Sequence, residues 1–137
     1  MIKRRRIGAA AAALGMAALA LPVYTAAPAA ASSWPVWEVR TTDKWAGYGK
    51  FDHDGDRILA ADQDVDGRSI VVVWKTDYGR SGTCKNSQGG GVEKVCNYNL
   101  SEQGRIQIKA CLSNNNGAPF GCGKPSNWVS IGDGTGY

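Results

Sequence analysis

The chain has 137 residues, 16 basic and 12 acidic side chains, a formal charge of +4 and a sequence pI near 9.0. Four of the basic residues, Lys3, Arg4, Arg5 and Arg6, crowd the N-terminus, so the excess disappears beyond them, and the interspersed remaining charges provide no basic stripe for a phosphate backbone. One small domain is expected, with a core modest enough to need covalent staples.

Residues 1–31 read as a secretory leader. A basic n-region is followed by an apolar, alanine-rich h-region over 7–23 and by an A-x-A cleavage signal at Ala29, Ala30 and Ala31. Pro22 and the small residues after it argue against a retained membrane anchor, so export with cleavage before Ser32 and a secreted, extracellular product are expected. Removing 31 of 137 residues and four of 16 basic ones leaves 106 residues with 12 basic and 12 acidic side chains. Neither nucleic acid nor, after cleavage, a membrane is an expected partner.

Residues 32–50 form an aromatic N-terminal segment, and 32–48, SSWPVWEVRTTDKWAGY, hold three of the five tryptophans. Pro35 offers no ladder donor, so this stretch is not the middle of a central strand, whereas 36–41 can pair at an edge. Trp34 and Trp37 either close the domain's own first strand or dock into a partner, since tryptophan is favoured in interface hot spots.

The sandwich domain is expected over 51–137. Within FDHDGDRILAADQDVDGRSIVVVWK, strands over 57–65 and 68–75 flank Asp66-Gly67, a pair that favours a type I′ hairpin turn. That register sets Leu59 opposite Trp74, Ala61 opposite Val72 and Gln63 opposite Ile70 on a core face. The other face, with Ile58, Ala60, Asp62 and Asp64 against Ser69, Val71, Val73 and Lys75, is apolar at its open end. Val71 and Val73 thereby join Trp34 and Trp37 as candidate partner contacts.

Asp62, Asp64 and Asp66 match the first half of a calcium loop, but the twelfth position is Val73 and not the bidentate glutamate such a loop needs. They are weak calcium candidates, and neither a metal centre nor a cofactor is expected. Asp52 to Asp56 reads as an Asp-rich turn. Residues 76–95 read as a long polar connection with a Gly89-Gly90-Gly91 run, a second possible contact surface.

A strand around 96–100 leads to 105–112, where Ile106, Ile108, Ala110 and Leu112 alternate with Arg105, Gln107, Lys109 and Cys111. A last strand is expected over 127–131, with Trp128 on the core and Val129 and Ile131 facing away, before a flexible tail over 132–137. Cys84, Cys96, Cys111 and Cys122 are an even set in an exported chain, so disulfides are the default. Of three pairings, Cys84–Cys96 and Cys111–Cys122 are preferred because each closes a short connection beside a strand, each contributing roughly 3 kcal/mol by loop closure. Cys111 falls on the polar face, placing its bridge outside the sheet's apolar face.

Six or seven short strands without helical periodicity imply an all-β fold: a small antiparallel β-sandwich, immunoglobulin-like but without an inter-sheet disulfide. No catalytic residues are expected and the chain reads as a non-enzyme. His53 is the one histidine, the cysteines are spent, and no nucleophile elbow, zinc-protease or P-loop motif occurs.

The runs GDRILAADQDVDGRSIVVVW, YNLSEQGRIQIKAC and CGKPSNWVSI resemble the small secreted β-sandwich proteins of filamentous actinobacteria. In size, export and expected fold these are similar to the adaptor subunit of umbrella toxin particles, which links a lectin-like subunit to a large repeat-containing toxin chain. The resemblance implies a non-catalytic adaptor in an extracellular antibacterial toxin complex, with such chains as partners. A carbohydrate-binding module, or an inhibitor of a secreted hydrolase that presents the Cys84–Cys96 loop, are the alternatives.

Overall fold

The computed structural model describes residues 37–43 and 45–137; the expected leader over 1–31 and Trp34 lie outside the described residues. Polar turns interrupt apolar alternation throughout, and the regular elements are strands: β1 (Trp37–Arg40), β2 (Gly47–Asp52), β3 (Arg57–Asp62), β4 (Ser69–Thr76), β5 (Ser81–Asn86), β6 (Glu93–Asn97), β7 (Arg105–Ser113) and β8 (Val129–Ser130). They form two antiparallel four-stranded sheets, sheet A in the order β1-β2-β3-β6 and sheet B in the order β5-β4-β7-β8. The small antiparallel β-sandwich implied by the turn signals is the fold.

Between the sheets, Ile106, Ile108, Ala110 and Leu112 of β7 point inward as their alternation predicts. There they join Ile70, Val72 and Trp74 of β4 and Val39, Phe51, Ile58 and Ala60 of sheet A. Burying each large aliphatic side chain contributes about 1.5–3 kcal/mol. Two glycines on the inward face of β2 set the spacing: a methyl group on Gly47 or Gly49 would occupy space filled by Ile70 or Val72 of the facing sheet.

The Asp66-Gly67 turn does not close a hairpin. β3 ends at Asp62, β4 begins at Ser69, and the residues between them carry the chain from one sheet to the other. Of the pair only Gly67 takes a positive φ, +76°, whereas a type I′ turn needs both central residues there. Leu59 pairs with Lys50 and Val95, while Trp74 pairs with Gly82 and Ile108. The core face of β4 is the expected one, but that of β3 is the opposite, Ile58 and Ala60. Four consecutive apolar residues give β3 two apolar faces, so alternation does not choose between them.

Three further boundaries move. β2 runs across positions 50 and 51 and is paired on both sides, so the sandwich already includes β1 and β2. The polar stretch 76–95 contains β5 and the start of β6. At the end of the chain Val129 and Ile131 enter the core, and Trp128 turns outward beneath the Lys75 ammonium, 5.6 Å from its ring centre. The tail over 132–137 folds back as a hairpin, with Ser130 N–H donating to Thr135 O at 2.7 Å and Tyr137 N–H to Trp128 O at 2.9 Å.

Both expected disulfides form. Cys84 lies in the core on edge strand β5 and Cys96 on edge strand β6, so this bridge joins the two sheets at one side. That corrects the expectation of a sandwich without an inter-sheet disulfide. Cys111 alternates with the inward Ala110 and Leu112, and its bridge lies on the outer side of sheet B, as expected.

Candidate protein-binding surface

The aromatic and valine candidates are mostly committed within the domain. Trp37 is half-buried against the core, its indole N–H donates to Gly134 O at 2.8 Å, and its ring fills the space beside Gly136. Val71 is only 4% exposed, flanked by Lys85 and Cys111 on the outer side of sheet B. Val73 is half-buried and lines a groove of about 300 Å³ with Lys75, Ser81, Gln107, Lys109 and Pro125. These residues are not brought together into one exposed apolar patch.

The outer face of sheet A is closed by its own side chains. Tyr48 reaches across Ala61 to donate its hydroxyl to Glu93 Oε1 at 2.9 Å. Its ring lies under the Lys50 ammonium at 4.8 Å and the Arg40 guanidinium at 5.4 Å, while Glu38 pairs with both cations. Burial, then the bond to Glu93, pushes the Tyr48 phenol up. Leu59 and Ala61 are buried beneath this layer, so the apolar second face of β3 needs no partner.

The aspartates do not assemble a metal site. The Asp66 carboxylate pairs with Arg68, and Asp62 Oδ1 accepts from Asp64 N–H at 3.1 Å. Among the described residues no group of three His, Cys, Asp or Glu is placed to hold an ion. Asp62 is 4% exposed and its Oδ2 has no hydrogen-bond partner; burial pushes its carboxyl up, and the Asp66 and Asp64 charges add to the shift. A raised folded-state value means that stability is complete below the unfolded carboxylate range, near 3.9, and declines as pH rises through the raised one. Asp62→Asn keeps the Oδ1 acceptor and removes the charge, so it is expected to raise the melting temperature at pH 7 by roughly 5 °C. The gain vanishes at pH 3 in paired thermal melts; an equal gain at both pH values would show that ionisation is not the cause.

Four connections meet at the end of the sandwich where β3 passes to β4. Gln63 N–H donates to Ala46 O at 3.0 Å, Gly91 N–H to Asp62 O at 2.8 Å and Thr42 N–H to Gly121 O at 3.1 Å. This end carries Trp45, Val65, Val92 and Phe120, four of the seven large exposed hydrophobics among the described residues. Trp45 is 83% exposed and Val65 88%. The turn beneath the indole is braced: Asp43 Oδ1 accepts from Trp45 N–H at 3.2 Å, and Asp43 O from Ala46 N–H at 3.1 Å. The side chain is therefore displayed between hydrogen-bonded backbone groups.

Compared with family models, curated proteins and solved structures, the chain matches none.

Trp45 had a signal in the sequence, an indole inside the turn-like run Asp43 to Gly47, between β1 and a strand that the apolar pattern does not reveal. Val65 had none, because it reads as a strand residue until the hairpin is abandoned.

Proposed function

We propose that the protein is a secreted, non-catalytic adaptor that holds other proteins through the loop end carrying Trp45 and Val65. The observation that supports this most is the exposure of Trp45 on a hydrogen-bonded turn. The hydrogen bonds anchor the backbone from which the ring projects, and tryptophans dominate interface energetics. Two disulfides are compatible with an oxidising extracellular environment. Membership of an umbrella toxin particle, with a lectin-like subunit and a large repeat-containing toxin chain as partners, is the specific assembly proposed.

The test is capture by the tagged, leader-free protein from its producer's culture fluid, with co-purifying chains identified and their proportions measured. Stable recovery of one or two chains is expected. Trp45→Ala weakens their binding at least about tenfold, and Val65→Asp does likewise, with melting temperatures unchanged. Absence of any partner at micromolar protein, or undiminished capture by both variants, would overturn the reading.

A further inference from the structure

Charges that alternate in sign along the sequence are sorted by the fold. No acidic residue occurs in β4, β5, β7, β8 or the connection over 114–128. Of the 12 acidic side chains, 11 lie on sheet A or in the connections between strands, and Asp133 lies in the tail after β8. Lys75, Lys85 and Lys109 stand on the outer side of three adjacent strands, where Val73 is flanked by Thr83 and Lys109, Lys75 by Ser81 and Gln107, and Val71 by Lys85 and Cys111. Pro125, from the neighbouring connection, lines the same groove. Among the described residues none of these three lysines forms an ion pair. Lys85 donates to Asn115 O and Lys75 lies over Trp128.

We infer that the outer face of sheet B binds an anionic glycopolymer, a chain of sugar or polyol units carrying repeated phosphate or sulfate groups. Three ammonium groups of one sign, spread over three adjacent strands, match a repeating polyanion, and lysine acts on phosphate or sulfate as a mobile point charge. A protein partner fits less well, because lysine is depleted from interface centres and Val73 is the face's small apolar contribution. Single-stranded nucleic acid fits less well too: it stacks on open rings, and the Trp128 ring is half-buried with Lys75 over it. The groove floor of Val73 and Pro125, rimmed by Ser81 and Gln107, suits the mixed apolar and hydroxyl surface of a sugar or polyol unit. This inference is independent of the adaptor reading, since the lysine face and the Trp45 turn share no residue.

The leader-free protein is titrated with poly(glycerol phosphate), heparin, neutral dextran and single-stranded DNA between about 50 and 200 mM salt. Binding to poly(glycerol phosphate) or heparin, weakening with salt, is expected, and the tighter of the two assigns the anion. The double variant Lys75→Gln/Lys109→Gln weakens binding at least about tenfold and flattens the log–log salt slope by about 1 to 2. A control of equal charge change on sheet A, Lys50→Gln/Lys94→Gln, leaves it unchanged. Absence of polyanion binding at low salt, equal binding to dextran, equal loss in the control, or tighter binding to the DNA would each overturn the inference.

Discussion

Replacing Cys84 and Cys96 together by alanine is expected to destabilise the domain by roughly 2–5 kcal/mol, and by more than loss of the second bridge. The two pairs are 12 and 11 residues apart, so loop closure alone predicts equal effects of roughly 3 kcal/mol. The native state separates them. Cys84 belongs to the core cluster, and its bridge joins edge strands of opposite sheets that share no backbone ladder. The excursion closed by Cys111–Cys122 has other attachments: Leu112 and Phe120 exchange hydrogen bonds of 2.7 and 2.8 Å, and Gly123 N–H donates to Ala110 O at 3.0 Å. Urea unfolding of the two double variants, followed by tryptophan fluorescence without reductant, measures the difference; equal shifts would show that position across the sheets adds nothing.

Asn86→Leu is expected to cost about 2–4 kcal/mol although leucine branches at the same carbon. Asn86 is fully buried at the end of β5. Its amide donates to Ala60 O of the opposite sheet at 3.0 Å and to Val92 O at 2.6 Å, while its Oδ1 accepts from Gln88 N–H at 3.1 Å. Leucine satisfies none of these groups. Asn86→Asp should be worse at neutral pH, where a carboxylate would face two carbonyl oxygens, and should recover partly on acidification as it becomes a donor. Thermal melts at pH 4 and pH 7 give both results, and a loss below about 0.5 kcal/mol for the leucine variant would remove Asn86 as an inter-sheet tie.

Strand β7 was legible because Ile106, Ile108, Ala110 and Leu112 alternate without a break, and β1 because Pro35 confines its neighbourhood to an edge. The turn between β2 and β3 was legible from its aspartates, with Gly55 and Asp56 taking φ of +89° and +51°. β2 and β5 were not, because several of their inward positions are glycines. Gly47 and Gly49 receive Ile70 and Val72, and Gly82 lies against the Trp74 ring, so these strands contribute space where apolar side chains would have signalled a strand. The surroundings of the binding candidates were hidden for a related reason. Trp37 is held by Gly134 and Gly136, far along the chain, and no local pattern reports that. Charge sorting was hidden as well, since it follows from which strands share a sheet.

The strand order also determines how the chain can fold. A polypeptide ending after β5 holds β1-β2-β3 and β4-β5, leaving β3 and β4 each with one open edge until β6 and β7 arrive. Each late strand must find a partner formed much earlier in the chain, which places folding in the slow range of about milliseconds to seconds and leaves two adhesive edges exposed meanwhile. A cut at a loop before β7 is expected to leave no self-sufficient fragment, and because the two sheets share one core, unfolding is expected to be a single cooperative transition.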